Sequence, residues 1–284
     1  MKISHFPSNL PNNAKDVYPQ LTDAIKQTDT LVENVMDADA ALIWSVLWFG
    51  KMSANKNVWD HYRSQGKPVI VIEVGGLIRN ETWKLGINGI NRDADFAINE
   101  YEDDSRINKL GIILQPWKQQ GDYILVCGQH GHSEQWRNMP EMGNYFKKTV
   151  LEIRKVSDKP IVLRSHPRFR EGLHWSCDMQ WFKEQGCEWN IPKHIQQTYD
   201  SFDLEYMLKH THCTISHSSN AGIASVIAGV PAVVSESSLA YDVSTKFDSW
   251  LSKPERNQWI NRLSYTEWFA YEIDQQWMRI RNKI

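Results

Sequence analysis

Cysteine is scarce in this chain of 284 residues. There are four, Cys127, Cys177, Cys187 and Cys213, and no two stand in C-x-x-C spacing. Zinc ribbons and redox dithiols are excluded by that spacing, and free thiols in a reducing compartment are expected. No apolar run reaches the ~18 residues that span a bilayer. The opening MKISHFPSNLPNN has no apolar core of a secretory signal, so a cytoplasmic location is expected. Charge of neither sign is in excess: the net value is −2, which gives the whole molecule no strong pull toward nucleic acid or acidic membrane. Internal repeats and low-complexity segments are also missing.

What is present is a soluble globular composition, 41% hydrophobic and 23% charged, with 13 tryptophans. Basic residues concentrate in one stretch: Lys147, Lys148, Arg154, Lys155, Lys159, Arg164, Arg168 and Arg170. Strand and helix signals alternate along the chain. Residues 1–6, 41–47 and 68–74 read as strands and 14–28 and 57–64 as helices. PVIVIEV, at 68–74, has the continuous β-branched run of an interior parallel strand. A polar connection near 115–122 separates a second series: strands at 123–127, 160–164, 213–216 and 231–235, with helices at 142–156 and 219–228. The span 178–210 reads as helical or irregular and the last residues as helical. Repeated βαβ alternation predicts an α/β protein of two Rossmann-like domains with parallel sheets, facing a central cleft. The expected bounds are 1–118, 119–265, and a final helix over 266–284 that crosses back to the first domain.

Four motifs carry chemistry. In Arg164-Ser165-His166-Pro167-Arg168 a strand runs into a proline, which keeps the chain extended and turns it above the sheet edge. Its imidazole and two guanidinium groups suit phosphate, although a solvated surface turn has the same composition. In Ser216-His217-Ser218-Ser219-Asn220-Ala221-Gly222 a Ser/Asn cluster caps a small-residue helix, and the exposed N–H groups of such a start also receive anions. Gly128-Gln129-His130-Gly131-His132-Ser133 follows a buried strand and reads either as a loop lining the cleft, through Gln129, His130 and Ser133, or as a linker. In the first half, Glu73 closes a buried strand, where a carboxylate needs a partner or a task. Arg79 or Lys84 is its natural partner; catalysis is the alternative, with Asp93, Asp95 and Glu100 as rivals. Asn88-Gly89 is a turn signal.

The His-Pro corner, the S-x-S-S sequence and the small-residue helix ending in Gly229-Val230-Pro231 resemble the C-terminal half of GT-B glycosyltransferases. The similarity covers residues 160–235 and is to the capsule-polysaccharide and sialyltransferase-like groups. WKLGINGIN, at 83–91, resembles a stretch of phage-type glycosyltransferases that decorate hydroxymethylated pyrimidines. The resemblance implies that His166, Ser218 and Ser219 contact a donor nucleotide, UDP- or CMP-linked, with no cofactor and no metal. Arg164, Arg168, Asn220, Gln129, His130 and Ser133 complete the expected donor site. Arg79, Trp83, Lys84 and Asn88 form the expected acceptor site, with Trp83 or Trp136 supporting a flipped base. The chain lacks the D/E-D-G acid motif of the pattern, so Glu73 is an expectation from its strand position alone. The expected reaction is inverting, metal-independent sugar transfer to 5-hydroxymethylpyrimidine in phage DNA, in the cytoplasm of an infected cell. A surface-polysaccharide acceptor is the alternative, and a non-catalytic nucleotide-sugar-binding module is a further one.

Overall fold

Hydrophobic runs that read as buried strands assemble into two mostly parallel sheets in an α/β protein. The computed structural model describes residues 1–168, 178–195 and 202–284. Contacts divide the chain into two units, one of Met1–Ile112 with Asn257–Ile284 and one of Ile113–Arg256.

The first unit runs β1 (Lys2–His5), α1 (Tyr18–Thr28), β2 (Thr30–Glu33), β3 (Ala40–Trp44), α2 (Asn55–Ser64), β4 (Val69–Val74), β5 (Thr82–Ile87) and α3 (Ser105–Leu110). Strands β1 to β4 pair in parallel, and β5 returns antiparallel to β4. Alternate residues of the central strands face opposite layers, as the strand period requires. Leu42, Trp44, Ile70 and Ile72 join Leu21 and Ile25 of α1 in one core. Ala41, Ile43, Val69 and Val71 join Val58, Trp59 and Tyr62 of α2 in the other. Burial on both faces is why β3 and β4 carry no alternation in their sequence.

The second unit runs β6 (Tyr123–Cys127), α4 (Met142–Arg154), β7 (Ile161–Arg164), α5 (Met179–Glu184), β8 (Cys187–Asn190), α6 (Leu204–His210), β9 (Thr211–Ser216), α7 (Asn220–Ile227) and β10 (Ala232–Val233). Every pairing in its sheet is parallel, in the order β10-β9-β6-β7-β8. Phe146, Val150 and Ile153 of α4 cover one face; Leu208 of α6 and Ala221 of α7 lie on the other. Gly229 ends α7 at φ +74, a left-handed turn made next to the chain that enters the unit. A Cβ there would lie 2.1 Å from Pro116 O. Arg256 fastens the same place: its guanidinium donates to Val226 O and, at 2.7 Å, to Gln115 O, over the ring of Trp117.

The chain then returns to the first unit as α8 (Asn257–Ser264), β11 (Glu267–Phe269) and α9 (Ile273–Arg281). The return therefore starts at Asn257, earlier than the expected 266, because α8 packs on α3. Strand β11 adds antiparallel to β5, so the finished sheet reads β11-β5-β4-β3-β1-β2. Trp277 of α9 is fully buried against α1. The Glu267 carboxylate, also buried, accepts hydrogen bonds from Gly76 N (2.8 Å), Leu77 N (2.9 Å) and Thr82 Oγ1 (2.8 Å), and lies 3.5 Å from the buried Lys84 ammonium. Among the described residues no helix is long and apolar enough to cross a membrane.

Removing one partner of a buried, hydrogen-bonded ion pair costs about 3–5 kcal/mol, because the other charge stays behind uncompensated. Glu267→Ala is expected to lose that much stability in urea unfolding, with the loss confined to the unit that contains β5.

Candidate functional site

Three strands of the second sheet end level. Cys127 of β6 is the cross-strand neighbour of Arg164 in β7 and of Ser216 in β9, so the loops that follow leave from one edge. The chain steps from β6 outward to β7 and β8, then crosses to β9 on the other side of β6. That reversal makes the β6/β9 gap the switch point, where open α/β sheets bind ligands beyond their strand ends. Gln129 and Ser218 meet across it. The Gln129 Nε2 donates to Ser218 Oγ at 3.0 Å, and Ser218 N donates to Gln129 Oε1 at 3.1 Å. Both side chains are buried.

Helix α7 starts beside this bridge. Ser219 is its N-cap, with Oγ accepting from Ala221 N at 3.3 Å. Gly222 sits where a Cβ would fall 2.7 Å from Val234 Cγ1 and 3.2 Å from Ser216 Oγ, so the first turn lies flat on the sheet edge only with glycine. Ser216 Oγ, Ser165 Oγ and Gln135 Nε2 are buried without a hydrogen-bond partner among the described residues. Buried polar atoms are ordinarily paired, so three orphans on the loops and strand ends of one edge are places for a water or a ligand.

Imidazoles gather on the β6 and β7 loops. The His130 ring lies 5.4 Å from His166 and 5.7 Å from His132, centre to centre. His132 N donates to His130 Nδ1 at 3.3 Å, and Arg168 N to His166 Nδ1 at 3.2 Å. With Nδ1 accepting, each ring in its neutral form carries its proton on Nε2. Burial first, then the charges of His132 and Arg168, push the His130 pKa down to about 4. His217 Nε2 donates to Gln135 O at 2.9 Å, edge-on to Trp136; burial lowers its pKa and that bond raises it in part. Among the described residues no three His, Cys, Asp or Glu side chains are placed to share a metal ion.

The expected donor residues therefore divide. Gln129, His130, His166, Ser218, Ser219 and Asn220 all lie along this edge, and Ser133 caps the turn 134–136, accepting from Gln135 N at 3.3 Å. Arg168 is exposed beside His166. Arg164 is corrected from a phosphate clamp to a structural group: it is buried, and its guanidinium donates to Asn190 Oδ1 and, at 2.6 Å, to Asp203. Burial raises the Asp203 carboxyl, but the bonds from Arg164 and Lys193 N outweigh it and leave the pKa below the ordinary value. Arg170 and Cys177 lie outside the described residues, as does 196–201 of the span 178–210. Ser165, Ser216, His217 and Gln135 receive no role from the sequence, because nothing in their residue types tells an orphaned hydroxyl or amide from a paired one.

The expected acceptor residues are spent on the fold. Trp83 is in the core of the first unit, and Lys84 is the buried partner of Glu267. Asn88, at φ +60, accepts from Val69 N at 2.9 Å and holds the turn after β5. Arg79 Nη1 donates to Gly75 O at 3.2 Å. Trp136 is in the second unit's core, donating to Pro140 O at 3.1 Å. Glu73 is half-buried at the end of β4, and neither Arg79 nor Lys84 is the partner the structure gives it. Its Oε2 accepts from Ser45 Oγ at 2.5 Å and its Oε1 from Val74 N at 2.8 Å. Asp93, Asp95 and Glu100 are exposed.

A histidine whose folded pKa is depressed binds its proton in the unfolded chain first, so stability rises with pH between the two values. The wild type is therefore expected to lose stability from about pH 6.5 down to about 4, more steeply than His130→Gln. Urea unfolding of both proteins at pH 7.5, 6 and 4.5 reads the difference; parallel curves would remove the buried neutral imidazole from the account.

No protein-family model matches the chain, and no curated protein matches it. Among solved structures it is similar to two KpsC enzymes of Thermosulfurimonas dismutans. A β-Kdo 2,4 transferase shares 12% identity and a TM-score of 0.52 over 99% of this chain and 98% of its own. A β-Kdo 2,7 transferase shares 11% identity and a TM-score of 0.52 over 99% of this chain and 100% of its own. The chain thus has, from end to end, the fold of these two glycosyltransferase structures.

Proposed function

We propose that this protein transfers a sugar from a nucleotide-activated donor to a hydroxyl of a saccharide. The observation that carries the reading is the level edge of β6, β7 and β9, with the Gln129–Ser218 bridge across the switch point and donors on both sides of it. An anionic diphosphate or monophosphate meets Nε2–H of His166, the Ser219 hydroxyl and the positive end of the α7 dipole, where Ala221 N is held by Ser219 Oγ and Gly222 N by Ser219 O. The shared fold with two Kdo transferases supports the same class of reaction and favours a surface-polysaccharide acceptor over DNA. The DNA reading also loses its residues: both tryptophans assigned to a flipped base are core, and Lys84 is already neutralised.

In the proposed reaction the acceptor oxygen attacks the anomeric carbon and the carbon–oxygen bond to phosphate breaks. The bonding pair leaves on the phosphate oxygen, where the α7 N–H groups and His166 stabilise the growing charge. The acceptor proton passes to a carboxylate, which we assign to Glu73, held as an acceptor by Ser45 and Val74 N.

A thermal-shift screen against UDP- and CMP-linked sugars tests the donor. A ligand at ~100 times its dissociation constant adds about 2.7 kcal/mol of stability. One of the panel is expected to raise the wild-type melting temperature, and His166→Ala to abolish the rise while folding normally; no response to any nucleotide-sugar would overturn the reading. Glu73→Gln is expected to keep the donor shift and lose about 10²–10⁴-fold in turnover. Full turnover in that variant would move the base elsewhere.

A further inference from the structure

The first unit repeats the reversal of the second. Its chain goes from β1 to β2 on one side, then to β3 on the other side of β1, so β1/β3 is a switch point in its own right. The sequence motifs pointed away from it, toward β5. The loops that flank it are tied together by amides: Asn9 Nδ2 donates to Asn55 Oδ1 at 2.8 Å, and Asn55 Nδ2 to Trp44 O at 2.7 Å.

The loop after β3 is built around Ser45. It sits at φ +62, a conformation that costs a non-glycine residue of order 1 kcal/mol and tends to persist where the surroundings or function demand it. Its hydroxyl does two things there, donating to Glu73 and accepting from Leu47 N at 3.1 Å. The turn it creates brings up Trp48 and Phe49 in succession. Trp48 is half-buried against Trp59, with ring centres 6.0 Å apart, and the Lys56 ammonium stands 5.9 Å from its ring. Phe49 is 51% exposed. It stands four residues from the hydroxyl that holds a carboxylate, at the sheet edge where ligands bind.

We infer that the loop Ser45–Gly50 is a saccharide-binding site, with the apolar face of a pyranose lying on Phe49 beside Trp48 and its hydroxyls taken by Glu73 and by Asn9, which the buried Asn55 holds in place. Flat aromatic side chains offer an apolar face and carboxylate and amide groups offer acceptors, the combination that suits a ring with hydroxyls at its rim and C–H groups on its face. A nucleic acid would ask for a row of cations here; the loop and the start of α2 offer two, Lys51, which donates to Asn12 Oδ1 at 3.4 Å, and Lys56, paired with Asp60 at 2.7 Å. The inference rests on the transferase reading only in making this sugar the acceptor.

The test is an array of bacterial surface oligosaccharides, spotted with 5-hydroxymethylcytosine duplex DNA for comparison and followed by titration of the best oligosaccharide. Wild-type protein is expected to bind saccharide spots, Phe49→Ala to bind at least tenfold more weakly, and Phe49→Trp to retain binding. Phe49→Ala should keep the wild-type melting temperature and the nucleotide-sugar shift, since its ring is exposed and belongs to the first unit. Undiminished binding by Phe49→Ala, no saccharide bound by the wild type, or binding to DNA alone overturns the site. Phe49-dependent saccharide binding without any nucleotide-sugar shift would leave this site standing and remove the transferase reading.

Discussion

Parallel strands cannot be joined by tight turns, and in this protein that constraint recurs twice. Each sheet begins on an internal strand, β1 in one and β6 in the other, grows to one side through a crossover, then jumps back to the other side of the starting strand. The two loops at the reversal leave in opposite directions and cannot fill the space between them. In the second unit that space is spanned by the Gln129–Ser218 bridge, in the first by the Asn9–Asn55 amides. The chemistry follows the topology: polar side chains that would be costly inside the sheet collect where its layers open.

The residues at the level edge of β6, β7 and β9 do not act as independent contacts. Gly222 lets α7 press on Val234 and Ser216, which sets where its first N–H groups lie; Ser219 caps one of them; Ser218 is held by Gln129 from the neighbouring strand. Backbone N–H groups fix which nitrogen of His130 and His166 carries the proton. Order of this kind, made before any ligand arrives, is what electrostatic stabilisation of a leaving group requires.

The interior strands were legible in the sequence because burial on both faces leaves a continuous apolar run: β3, β4, β6 and β7 all read correctly. Of the strands at or near the margins, β1 and β10 were also legible and four were not. β2, β8 and β11 are three or four residues long, with Glu33, Glu188 and Glu267 among them, and β5 carries Lys84 and Gly86. A lysine inside a strand reads as surface until its buried counter-charge is known, and Glu267 is supplied from the other end of the chain. The His-Pro and serine motifs marked the level edge of β6, β7 and β9 because helix caps and prolines leave local marks. Arg164 misled for the opposite reason: a guanidinium above a strand end looks free until Asn190 and Asp203, distant in sequence, fold onto it.

Arg256 grips Val226 O and Gln115 O, the chain entering the second unit, at the point where that unit ends. The second unit is thus one uninterrupted stretch whose two ends are stapled side by side, inserted into the first. During synthesis it is finished before the ribosome has made α9 or the counter-ion of Lys84. The first unit is the later of the two to mature, and its sheet stays one strand short until β11 emerges.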